Sequence, residues 1–188
     1  MGRLIVTEFV SLDGVMEAPG GEEGYAHSGW VFPYHDDGTL DFKMRETADA
    51  EVQLLGRVTY EGFAAAWPQR EGEFADKFNA MPKYVVTSTL DDLEWSNSHV
   101  LEGGVPDGVE RLKGEIDGNI LVAGSRTLVH SLVEHDLVDQ FNFMVFPLIL
   151  GSGRRAYPDL PDKKPLKLTG SQAFEKGVVL LTYEPAGG

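Results

Sequence analysis

The chain has 188 residues, 42% of them hydrophobic and 24% charged, the makeup of one ordinary globular domain able to bury a core. A formal net charge of −14 argues against nucleic-acid backbones and anionic membrane surfaces as partners. There is no cysteine, which excludes disulfides, thiolate catalysis and cysteine-bound metals and makes a cytoplasmic location the default.

"RLIVTEFVSL" reads as a first strand ending at the turn pair Asp13-Gly14. With one basic residue and an apolar run broken by Glu8, it is not a signal peptide. Residues 15–38 hold five glycines, two prolines and no helical period. A loop that long in a compact domain usually has a function, and Tyr25, Trp30, Phe32 and Tyr34 make it an ordered one covering something. Thr39 is placed to cap a helix running to about Asp49. "EVQLLG" is a second short strand, followed by a helix from Val58 or Thr59. "KYVVTS" is a third, apolar enough for a central position with both faces covered. Pro106-Asp107 with Glu110 forms a capping-box pattern, and Val109, Leu112 and Ile116 then recur at helical spacing. "NILVAG" is another buried strand. Ser125 is placed to cap the helix after it, which carries Leu128, Val129, Leu132 and Val133 on one face. The pattern then changes: "QFNFMVFPLIL" is a long strand, and "PLKLTGSQAF" with "GVVLLTY" is a hairpin turning at Glu175-Lys176-Gly177. "PAGG" is a frayed end. Alternating strands and helices followed by an all-β tail predict an α/β domain, a mostly parallel sheet with antiparallel strands at one end.

Three loops follow strands and precede helices: "LLGRVTYE", "VVTSTL" and "LVAGSRTLV". In a parallel sheet they share the C-terminal edge, where ligands bind. Each offers a glycine or hydroxyl beside N–H groups, and two contain an arginine, the ingredients of an anion site. The alternative for any one loop is a plain turn and helix cap. Other signals carry no chemistry. "GSGRRA" at 151–156 has no helix after it and is no dinucleotide fingerprint. His130 and His135 are five apart, on different sides of a helix. "HDD" at 35–37 is a solvated loop rather than a metal site. The zinc-deaminase pattern, which needs cysteines, is absent.

Taken together, "VSLDG" at 10–14, "LLGRVTYE" at 54–61, "PKYVVTSTL" at 82–90, "ILVAGSRTLVHSLVEHDLVDQF" at 120–141, "PLILGSGRRAY" at 147–157 and the terminal "GVVLLTYEP" resemble the dihydrofolate-reductase-like superfamily. The likeness is to the reductase domain of the bacterial riboflavin-biosynthesis deaminase–reductases, here free-standing over residues 1–188. The resemblance implies a three-layer fold and an NADPH site. Gly56, Arg57 and Thr59 would hold the pyrophosphate and the adenosine-side phosphate. Ser88 and Thr89 would lie near the 2′-phosphate, and Gly124, Ser125, Arg126 and Thr127 would bring N–H groups to the pyrophosphate. The family usually has Gly-Gly where this chain has Gly124-Ser125. At the place of the dihydrofolate-reductase carboxylate stands Leu40, with Asp41 one residue off, so dihydrofolate is not the expected substrate. Asp13 takes the catalytic position, orienting or protonating the substrate, with Ser11 and Trp30 beside it as substrate-binding residues. A turn role for Asp13 stands as the alternative.

The reaction so implied is hydride transfer from NADPH to a small carbonyl or imine, as in 5-amino-6-(5-phosphoribosylamino)uracil reductase. Reduction of an unrelated small molecule, or a non-catalytic dimeric ligand-binding domain of the same fold, are the competing readings. No metal is expected. A homodimer is expected, because Phe141, Phe143 and Val145 on one face of the long strand and Met144, Phe146, Leu148 and Leu150 on the other both need cover.

Overall fold

β1 (Arg3–Ser11) is buried along nearly its whole length, the polar Thr7 and Glu8 that break its apolar run included. The structure, a computed structural model, describes residues 1–157 and 159–187. Gly188, the last residue of the expected frayed end, lies outside them. The described residues hold eight strands, and the chain divides into two compact units.

The first unit comprises residues 1–6 and 44–139. It holds β2 (Ala50–Gly56), β3 (Lys83–Val86), β4 (Ser98–Val100) and β5 (Asn119–Ala123), all joined in parallel. Gly56 lies opposite Val86, Lys83 opposite Ser98, and Gln53 opposite Leu121. β4 is too short and too polar to show any period in the sequence. The helices of this unit are α2 (Arg57–Ala66), α3 (Glu73–Ala80), α4 (Val109–Glu115) and α5 (Arg126–Glu134). An aromatic core of Tyr60, Phe78 and Trp95, with Phe63, Trp67 and Phe74 against it, fills the space over Leu55 and Val85. Within it Lys83 is fully buried. Its ammonium donates to the Asn79 and Ser96 carbonyls and sits 4.1 Å from the centre of the Trp95 ring. Burial lowers its pKa from 10.5 to about 8.

The capping box expected at Pro106-Asp107 does not form. Residues 104–108 make one wide π turn, Gly108 takes the N-cap position of α4, and no side chain caps it. With Asp107 already inside the turn, its carboxylate is one residue too early to reach the helix's first N–H groups. The apolar face behind it is as expected, with Val109 and Leu112 buried.

The second unit comprises residues 7–43 and the described residues from 140 onward. β6 (Gln140–Phe146), β7 (Leu166–Ala173) and β8 (Val179–Pro185) form its antiparallel tail, with Phe143 opposite Leu181 and Ser171 opposite Leu181 from the other side. Gly177, at φ +84°, closes the hairpin by donating to the Phe174 carbonyl at 3.0 Å. The start of α1 (Asp37–Ala48) is capped by Asp36 rather than Thr39. Asp36 Oδ1 accepts the Thr39 N–H at 2.8 Å and Thr39 Oγ1 accepts the Asp36 N–H at 2.9 Å. This is a capping box whose second member is a threonine. The long loop ahead of it is ordered over its own core: Trp30 and Val31 are buried with Met144, Phe146, Phe174, Val178 and Leu180.

Phe141, Phe143, Met144 and Phe146 are all buried in the single chain. Both faces of β6 are thus covered without a second subunit, and the cover argument for a dimer loses its motive. The exposed strand is β7, whose Leu166 and Leu168 stand 38% and 49% exposed.

Candidate active site

In the first unit, β2 ends at Gly56, β3 at Val86 and β5 at Ala123. The strands are parallel and in close register, so the three loops that follow them share one edge. Two of the loops are interlocked. The Gly56 N–H donates to Ser125 Oγ at 2.9 Å, and the Ser125 N–H donates to Thr59 Oγ1 at 2.9 Å. Gly124 and Ser125 are both left-handed, at φ +61° and +58°, and a Cβ on Gly124 would meet Thr59 Oγ1 at 3.4 Å. Ser125 therefore occupies the N-cap position of α5 without capping it, because its hydroxyl is turned to β2 instead of to its own helix.

The interlock changes which donors face a ligand. The Gly56 and Ser125 N–H groups, expected at phosphates, are satisfied internally. The first-turn N–H groups of α2 and α5 have no intrahelical acceptor by construction: the first bond of α5 runs from Val129 to the Ser125 carbonyl. Arg57, the first residue of α2, is exposed, and one of its terminal nitrogens donates to both carboxylate oxygens of Glu61 at 3.1 and 2.9 Å. In the third loop Thr87, which the sequence did not single out, shapes the turn by accepting the N–H groups of Thr89 and Leu90 at 3.1 Å each. This leaves Ser88 and Thr89 exposed at its tip. Arg126, half-buried, and Thr127, exposed, open α5 on the same edge. The donor set of helix N-termini, the two arginines and exposed hydroxyls fits phosphate and ribose groups.

The second unit holds the other expected residues. Ser11 is 1% exposed. Its hydroxyl accepts the Val15 N–H at 2.9 Å and donates to Asp13 Oδ1 at 2.6 Å. Asp13 also accepts the Leu150 and Gly151 N–H groups, at 3.1 and 2.9 Å, and the Arg155 guanidinium donates to its carbonyl. The Ser11 hydroxyl, followed by those two N–H groups, holds its carboxyl down at about 2. This is a carboxylate that stays ionised near neutral pH, and it ties the first turn to the loop at 150–151. Trp30 is buried, and its indole N–H is taken by the Glu17 carbonyl at 2.8 Å, so it anchors the loop to the core and has no polar atom to offer a substrate. Leu40 and Asp41 are both exposed on α1.

Comparison with known proteins adds the following. A model of the RibD C-terminal domain matches residues 3–180. The uncharacterized protein YwjB of Bacillus subtilis (strain 168) is 31% identical over 174 residues, which cover 91% of each chain. A solved putative riboflavin biosynthesis protein from Shewanella sp. PV-4 superposes with a TM-score of 0.80 at 16% identity, over 98% of this chain and 99% of that one. Dihydrofolate reductase from Enterococcus faecalis, complexed with NADP(H), does so at 0.65 and 18% identity, over 99% and 98%. At those identities the two structures speak for the fold, and the dihydrofolate-reductase-like architecture is thereby established.

Proposed function

This chain belongs to the RibD C-terminal domain family, and on that premise we propose that it is an NADPH-dependent reductase of a small carbonyl or imine. The observation that carries the reading is the interlocked edge at Gly56, Thr59 and Ser125 with the Arg57 guanidinium beside it. It holds the starts of two helices in one arrangement suited to a diphosphate. Arg57 and the first-turn N–H groups of α2 and α5 would take the diphosphate, and Ser88 and Thr89 the adenosine ribose end. When bound, the reduced nicotinamide supplies a hydride. The protein's own share is position and electrostatics. The dihydrofolate reductase of the same fold that is complexed with NADP(H) supports the choice of cofactor.

Asp13 has a positioning role in this reading. With its carboxyl held at about 2, it is a poor proton donor at neutral pH, and both of its oxygens hold neighbouring groups. Substrates of the 5-amino-6-(5-phosphoribosylamino)uracil type are the first to try, with unphosphorylated carbonyls and imines after them. We place the protein in the cytoplasm on its cysteine-free sequence. We also propose a homodimer through the exposed strand β7, which among the described residues pairs with β8 on one side and leaves its other side to a second copy. The test is loss of reduced-nicotinamide absorbance across a panel of such substrates. Cofactor binding with no turnover on any of them would favour a non-catalytic binding domain instead.

A further inference from the structure

We propose that the cleft between α4 and the strand pair β3–β4 is a second binding site, for a small zwitterion that carries a ring, such as an aromatic α-amino acid. The cleft lies wholly within the first unit and shares no residue with the edge at Gly56, Arg57 and Ser125. Its volume is about 290 Å³. That is the small end of ligand pockets, enough for one ring with its polar groups and too little for a dinucleotide. The proposal is independent of the reductase reading.

One wall is aromatic. Tyr84 and His99 are register partners on β3 and β4, so their side chains leave the sheet on the same face. Their rings lie 5.7 Å apart at 40°, with Tyr84 half-buried and His99 exposed. The floor is apolar, with Leu101 and Leu112 both buried. Rings beside an apolar floor suit a planar ring.

The other wall carries both signs of charge. α4 brings Arg111 and Glu115 to the cleft, one turn apart, the spacing of a helix ion pair. No ion pair joins them among the described residues, and the guanidinium is turned back to donate to the Glu102 carbonyl. Gly103 makes room for it, since a Cβ there would meet Arg111 Nη2 at 2.8 Å. A guanidinium has five N–H donors, so one held by a single carbonyl keeps enough of them for a carboxylate. The Glu102 and Glu115 carboxylates also line the cleft. They repel a plain anion and attract an ammonium. A carboxylate on Arg111, an ammonium on Glu115 and a ring against Tyr84 and His99 use all three features in one molecule.

The experiment is calorimetric titration of the whole chain with L-phenylalanine. Three probes each lack one feature: 3-phenylpropionate the ammonium, phenethylamine the carboxylate and L-alanine the ring. The wild type, Arg111→Ala and Glu115→Gln are compared, with circular dichroism to confirm folding. The wild type should bind L-phenylalanine saturably with a dissociation constant of about 1 mM or lower, and each truncated probe about tenfold more weakly. Both variants should weaken L-phenylalanine by about fivefold or more. No saturation by L-phenylalanine up to about 10 mM overturns the site. So do 3-phenylpropionate or phenethylamine binding as tightly as L-phenylalanine, or folded variants that bind it like the wild type. Where a variant fails to fold, the four probes on the wild type decide alone.

Discussion

Ser125 Oγ accepts the N–H of Gly56, 69 residues earlier, at 2.9 Å. The bond joins the end of β2 to the start of α5, and Ser125 makes it from a left-handed backbone. Serine pays for that conformation where glycine would not, so the hydroxyl contact offsets a strain that its own residue type creates.

Two substitutions separate those effects. Ser125→Ala keeps the strain and loses the bond, and is expected to cost about 0.5–1.5 kcal/mol of stability. Ser125→Gly loses the bond and relieves roughly 1 kcal/mol of left-handed strain, so it should melt close to the wild type. Chemical denaturation of the three proteins checks the order. A glycine variant less stable than the alanine variant would show that the interlock does not work as described.

Asp13 is expected to matter for stability before it matters for turnover. Asparagine keeps one acceptor oxygen but sets an amide against the Leu150 or Gly151 N–H, a loss of about 1–3 kcal/mol. The acid dependence has a defined sign. The folded carboxyl at about 2 lies below its ordinary 3.8, so its contribution is present above 3.8 and lost as pH falls through 2. Asp13→Asn should flatten that part of the acid-denaturation curve. A variant as stable as the wild type, with the same acid dependence, would remove Asp13 from the network.

Lys83 titrates in the opposite range. Its folded pKa of about 8 lies below the ordinary 10.5, so between those values the unfolded chain binds more protons and stability rises with pH. Melting temperatures of the wild type and Lys83→Met, followed from pH 8 to 10, should diverge in the wild type's favour as pH increases. A constant difference across that window would show that the buried ammonium keeps its ordinary pKa.

What was legible in the sequence depended on period and on distance along the chain. The helix face of Leu128, Val129, Leu132 and Val133 and the hairpin at Gly177 were visible because their signals are local. The three-loop edge was visible because strand ends with Gly and hydroxyl residues recur. The interlock was not, since a serine before a helix looks like a cap whether its hydroxyl points to its own helix or to Gly56. β4 was too short to have a period. An aromatic residue in a glycine-rich loop, such as Trp30, does not reveal in the sequence that its N–H is bonded to the Glu17 carbonyl. The i,i+4 spacing of Arg57 and Glu61 is visible in the sequence, but such spacings are common on helices and do not by themselves mark an engaged pair.

The proposed dimer rests on β7, and charge placed there should report on it. Leu168→Lys, on the exposed strand, is expected to shift the light-scattering mass from that of two chains toward the 20.6 kDa of one. A wild type that already scatters as one chain at micromolar concentration would sink the proposal.

The most direct test of the reductase reading is NADPH binding to the Arg57 edge, measured by cofactor fluorescence on the wild type and Arg57→Ala. Loss of the guanidinium should remove a charge-assisted contact of about 1.5–3 kcal/mol, so the wild type should bind and the variant should bind roughly tenfold or more weakly. Equal affinity in the two proteins, or no fluorescence change in the wild type, would contradict it.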